Sequence, residues 1–189
     1  MSSDAFSTVA GPAGVGALCM LGVFLILDGR SPHIFPTVEE YAKTTTWGVI
    51  AAVPILVIAY VFGLFVNSIG VLAVQTAFGV NTAMETVDIV RIGAFPTEKV
   101  PAVQYFLQLR QDRAVLAGSS IALIILCAGA LSEISNLPNV RSSIIVLALG
   151  SLLLGALLFW LAGQKTRESH QLAQKIVGVV PRVVSPDGN

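Results

Sequence analysis

Charged side chains are bunched along this chain, and long stretches between the bunches carry none. The uncharged stretches are residues 5–27, 44–84, 114–132 and 142–164. About 20 apolar residues in a helix, each rising about 1.5 Å, cross the ~30 Å hydrocarbon core of a bilayer. Every stretch reaches roughly that length, and the one from Thr44 to Met84 is about twice what a single crossing needs. The pattern predicts an all-α polytopic membrane protein with four transmembrane helices at about 10–27, 47–66, 114–132 and 143–163. The chain is then one membrane domain, residues 1–189, with a cytoplasmic helical layer built from about 67–113 and 164–178.

Local signals refine each helix. The first span holds Pro12 and glycines 11, 14, 16 and 22, which make it a weak apolar segment. Its leader, Met1 to Val9, lacks Lys and Arg, and no small-x-small site precedes Asp28, so it reads as a retained span and not a signal peptide. The second helix has a capping-box start at Thr37–Glu40 after Pro36 and an interfacial Trp47. Pro54 removes a backbone donor in mid-span and predicts a kink. Asn67 to Met84 is too short for a return crossing and reads as a continuation of the same helix, as a stalk or lying in the interface.

In that continuation Ser68, Gln75 and Thr82 recur every seven residues as a polar stripe, while Gly63, Gly70 and Ala77 recur on another face. Such two-sided helices usually pack against neighbours, and this outweighs a water-facing pore stripe. The third helix starts at Pro101, a residue suited to the first helical position. Arg110 and Arg113, three apart on one face, can snorkel to lipid phosphates or the cytoplasm, or meet an acidic partner or ligand. The third and fourth spans form a hairpin across Ser132 to Ser142 and carry small-residue seams. These are Gly118, Ala122 and Gly129 on one, and Ala148, Ser151, Gly155 and Ala162 on the other. Burying apolar surface gains nothing in lipid, so close approach through small residues supplies helix contact. The seams leave open whether the partner helix is in the same chain or another copy. The fourth helix continues to a stop at Gly178, with Pro181 beyond it.

Composition narrows the functional classes. Charged residues make up 12% of the chain against roughly 25% in soluble proteins, which leaves no room for a soluble domain of ordinary size. The net charge of zero, without a basic cluster, speaks against nucleic acid as a partner. Eight basic residues, from Arg91 to Arg113 and from Lys165 to Arg182, fall on one predicted side; Arg30, Lys43 and Arg141 fall on the other. The positive-inside rule then puts both termini in the cytoplasm, in a bacterial inner membrane or its equivalent.

Candidate chemistry is sparse. Cys19 and Cys127 lie inside apolar runs and read as small apolar residues. His33 and His170 fall on opposite predicted sides and read as solvated. Gly118-Ser119-Ser120 has no His or Lys at its depth to activate a serine. The glycines of residues 11–16 lack the strand and lysine of a phosphate loop. The uncharged runs hold no ionisable group of the kind a coupled transporter uses; Glu133 at the lip of the third span is the one candidate exception, though a helix-end Glu is more often simply solvated. No catalytic residue, metal site or cofactor is expected. The only clustered charge is Glu85, Asp88 and Arg91 with Arg110 and Arg113; Asp88, Arg91, Arg110 and Arg113 are the candidate partner contacts. The expectation is a non-enzymatic integral membrane protein, an oligomerising effector or pore former controlled through its cytoplasmic helices. The alternative is a scaffold or accessory subunit of a membrane complex. Its partners are the lipid bilayer and either copies of itself or another membrane subunit.

Overall fold

The computed structural model describes residues 3–30, 45–79, 101–135 and 141–179. They form four helices, α1 (Ser3–Arg30), α2 (Thr45–Phe78), α3 (Pro101–Ser132) and α4 (Arg141–Val179), with a single 3₁₀ turn, Glu133–Ser135, after α3. Among the described residues there is no strand. In hydrocarbon every backbone N–H and C=O must bond within its own segment, and the helix is the form that satisfies this locally. Each helix has a segment long and apolar enough to cross a membrane.

Start and stop signals act where the local chemistry dictates. Pro101 opens α3, where its missing N–H costs nothing. Gly79 closes α2 with φ of 66°, a left-handed conformation that glycine adopts without strain. Its N–H donates to the Thr76 carbonyl at 3.4 Å. The helix expected to run on to Met84 therefore ends at Phe78. Pro12 and Pro54 both sit inside unbroken helices. The Thr37 capping box, His33, Glu85, Asp88, Arg91 and Thr82 lie outside the described residues.

α3 packs against all three other helices. It runs parallel to α1, with Gly11 beside Val115 and Gly22 beside Leu126, and antiparallel to α4, with Gly155 beside Leu123. α2 runs antiparallel to α1, Gly16 meeting Ala59 and Gly63 meeting Pro12. α4 reaches α2 near the end of α2, where the Phe78 and Phe159 rings lie 6.0 Å apart and the Arg167 guanidinium sits 5.3 Å over the Phe78 ring. The far ends of α2, α3 and α4 thus share one end of the bundle. There Phe106, Leu109, Thr166, Ser169 and Ala173 are buried, so the extended helix ends pack rather than splay.

The outside of the bundle is apolar. Val53, Leu56, Val61 and Phe65 on α2 and Val146, Leu149, Leu153 and Leu157 on α4 are all more than half exposed. In water so broad an apolar surface would drive association; in a bilayer it faces the solvent it suits. An all-helical chain with four such helices is compatible with a multi-pass membrane protein.

Candidate functional site

Small residues set the interior geometry. A Cβ on Gly16 would fall on the Ala59 carbonyl oxygen, and one on Gly63 on the Pro12 carbonyl oxygen, so α1 and α2 cross backbone to backbone. Gly129 meets the backbone of Gly22, with 2.5 Å between its would-be Cβ and the Gly22 oxygen. Gly70 faces the backbone of Ala117 and Gly118. Ala122 packs with Val15, Cys19 and Val66 in one cluster; Cys127 and Ala130 pack with Ala148 in another. Ser151 is buried and returns its hydroxyl to the Ala148 carbonyl at 2.9 Å. Gly155 leaves room for Ser120, whose carbonyl oxygen would stand 3.3 Å from an added Cβ. The seam positions Gly118, Ala122, Gly129, Ser151 and Gly155 are therefore occupied by helices of the same chain.

Two interior polar contacts were not legible from spacing. The Asn67 carboxamide oxygen takes up the space that a side chain at Gly118 would need, and it is buried without a hydrogen-bond partner. Ser132 donates from α3 to the Leu25 carbonyl of α1 at 3.0 Å, sharing its hydroxyl with the Gly129 carbonyl at 2.7 Å. The sequence signal for the first was an Asn set among the apolar residues of the second uncharged stretch. Ser132 gave no signal, because a serine at a helix end reads as solvated.

The polar stripe does not hold together. Ser68 is exposed and returns its hydroxyl to the Leu64 carbonyl at 2.9 Å, whereas Gln75 is buried. The cause is packing: beside Gln75, Val74 lies against Ala117 and Ala162, so α3 and α4 close over α2 at that level. The arginine pair also divides. Arg110 is exposed while Arg113, one turn on, is only 2% exposed, in place of two interfacial anchors on a common face. Glu133 departs from expectation too. It is buried, because the 3₁₀ turn that carries it tucks against both α1 and α4.

Two recesses flank the start of α3. One, about 470 Å³, is lined by Tyr60, Leu64, Asn67, Ser68 and Val71 of α2, by Arg110, Gln111, Arg113, Ala114 and Val115 of α3, and by Pro12. The other, about 540 Å³, has Gln108, Asp112 and Lys165 among its polar walls. Lys165 also pairs with Glu168 at 3.2 Å. The basic group on α4 thus has acidic company, and among the described residues the charged side chains lining the first recess are Arg110 and Arg113. Arg110, Arg113 and Ser68 are the sequence-singled residues that the fold brings to one place. His170 lies 3.1 Å from Gln174 on the same helix, and Cys19 and Cys127 are buried free thiols in separate clusters. Among the described residues no three of His, Cys, Asp or Glu are grouped to hold a metal ion.

Set beside known protein families, curated proteins and solved structures, the chain matches none of them.

Proposed function

We propose that the protein is a non-enzymatic multi-pass membrane protein that serves as a scaffold or accessory subunit of a membrane complex. Both termini, and the packed layer where α2, α3 and α4 end together, lie on the cytoplasmic side of a bacterial inner membrane or its equivalent. The observation that carries this is the use of the small-residue seams. Gly16 with Gly63, Gly22 with Gly129, and Gly118 with Asn67 all join helices within one chain. Association in lipid depends on such close approaches, and these positions are already spent on the fold. What stays outside is the apolar surface of α2 and α4, which suits lipid or a partner's helix.

An oligomerising pore former would need a continuous polar track. Ser68 and Gln75 supply none, since one faces out and the other is packed inside. A pore would therefore require Gln75 to leave the interior and α2 to part from α3 and α4.

Two measurements on one preparation test the proposal. Mass in detergent should be that of a single 19.8 kDa chain with its bound detergent, in the absence of the partner. Vesicles carrying the protein should hold an entrapped dye. A homo-oligomer that releases the dye would replace the scaffold with the pore former.

A further inference from the structure

We propose that Phe78 is a latch: its ring, seated on Gly163 and capped by Arg167, keeps α2 closed against α4, and its release opens that joint while the rest of the bundle stays packed. The inference goes beyond the scaffold reading and rests on the fold alone.

The joints of the bundle are built in two ways. α1 meets α2 and α3 backbone to backbone, at Gly16 with Ala59, Gly63 with Pro12 and Gly22 with Leu126. Such a crossing parts only when whole helices move. α4 leans chiefly on α3 and touches α2 over a short stretch, where a side chain bridges the gap. A Cβ on Gly163 would fall on the Phe78 ring, so the ring fills the notch that the missing side chain leaves. The Phe159 ring lies 6.0 Å away, tilted by 42°, and the Arg167 guanidinium stands 5.3 Å over the Phe78 face. Both rings pack against Val74, Ala117 and Ala162, which are fully buried.

The ring is held in a way that can be undone. A cation over an aromatic face at an exposed site is among the weaker contacts a protein makes, and here Arg167 is exposed and Phe78 only half-buried. Phe78 is also the last residue of α2, with Gly79 turning away at φ of 66°, so the ring can swing out without unwinding the helix behind it. Thr166 and Ser169, buried on the same stretch of α4, donate their hydroxyls to the Ala162 and Thr166 carbonyls of their own helix and do not tie α4 to α2. Regions held by few buried contacts open ahead of the whole fold. With the ring out, Val74 and Gln75 lose their cover, so the open state presents the polar residue of α2 that the closed bundle hides.

Thiol trapping reads the opening site by site. Cys19 and Cys127 are buried in two other clusters and serve as internal controls, and Val74→Cys adds a thiol in the cluster that the latch covers. The full chain in lipid vesicles is treated with N-ethylmaleimide, and the rate at each thiol is read by peptide mass spectrometry. Phe78→Ala should speed reaction at Val74→Cys by about tenfold or more and leave the rates at Cys19 and Cys127 unchanged. Gly163→Ala, which displaces the ring from the opposite helix, should do the same, and combining it with Phe78→Ala should add nothing. Arg167→Gln should speed the reaction about two- to fivefold, with Arg167→Lys between it and the unaltered chain. If Phe78→Ala cannot be isolated, Phe78→Leu keeps the bulk, loses the aromatic face and should match Arg167→Gln. Equal acceleration at all the thiols would make Phe78 an ordinary packing residue and overturn the latch. An unchanged rate at Val74→Cys, or additive effects of Gly163→Ala and Phe78→Ala, would overturn it as well.

Discussion

The inside and the outside of this bundle are made of different residues under different constraints. Where α1 crosses α2 and α3, backbones approach so closely that no Cβ fits at Gly16, Gly22 or Gly63. Along α4, by contrast, Val146, Leu147, Leu149, Leu152, Leu153 and Leu154 point outward around most of the helix, and a Cβ on Gly150 would meet nothing within 4 Å. Apolarity therefore does not distinguish core from surface here, because both are apolar. At the crossings of α1 with α2 and α3, side-chain size does. In lipid the core is where side chains are small enough for dispersion contacts and weak Cα–H···O contacts to accumulate between backbones.

That contrast breaks first at the α1–α2 crossing. Gly63→Leu should cost about 3 kcal/mol or more, since the added side chain meets the Pro12 carbonyl and not a movable side chain. Thermal unfolding in detergent would show it as a large fall in midpoint or as failure to isolate a monodisperse protein. Gly118→Val should cost about 2 kcal/mol by displacing the Asn67 carboxamide. Asn67→Ala in the same chain should restore about 1 kcal/mol, and a double-mutant cycle showing strict additivity would deny the contact. Ser132→Ala removes the hydroxyl shared between Leu25 and Gly129, for a loss of about 1 kcal/mol. On the outer face, Leu153→Ala and Gly150→Ala should each stay within about 0.5 kcal/mol of the unaltered protein. A large loss at Leu153 in the isolated protein would mean that the α4 surface is buried against another copy.

Much of the architecture was legible because long uncharged stretches mark the four helices that are long and apolar enough to cross a membrane. The start of α3 at Pro101 and the reach of α4 past Lys165 to the neighbourhood of Gly178 follow from helix signals in the chain and agree with the fold. The seams Gly118, Ala122, Gly129, Ser151 and Gly155 were also visible as helical repeats of small residues. Their partners were not. Spacing within one helix gives a face but not what meets it, and only the parallel pairing of α1 with α3 shows Gly129 resting on Gly22.

The same gap explains the polar residues. Ser68 and Gln75 share a nominal face seven residues apart, yet α4 closes over the second and not the first. Arg113 reads as an interfacial anchor because snorkelling suits an arginine at that depth, but in the fold it is almost wholly buried. Glu133 is likewise turned inward by a 3₁₀ turn that residue spacing did not announce. Single-helix periodicity predicted the glycine contacts better than the polar ones. A glycine's role is set by backbone distance, whereas a polar side chain's role is set by whatever else arrives.

The threading of four helices through lipid is tested most directly by labelling single cysteines in sealed vesicles, in a background where Cys19 and Cys127 have been replaced by alanine. Gln108→Cys and Lys175→Cys should react with a membrane-impermeant reagent from one face, and Arg30→Cys and Arg141→Cys only from the other. Reaction of Arg30→Cys and Lys175→Cys from the same face would contradict the four-span bundle.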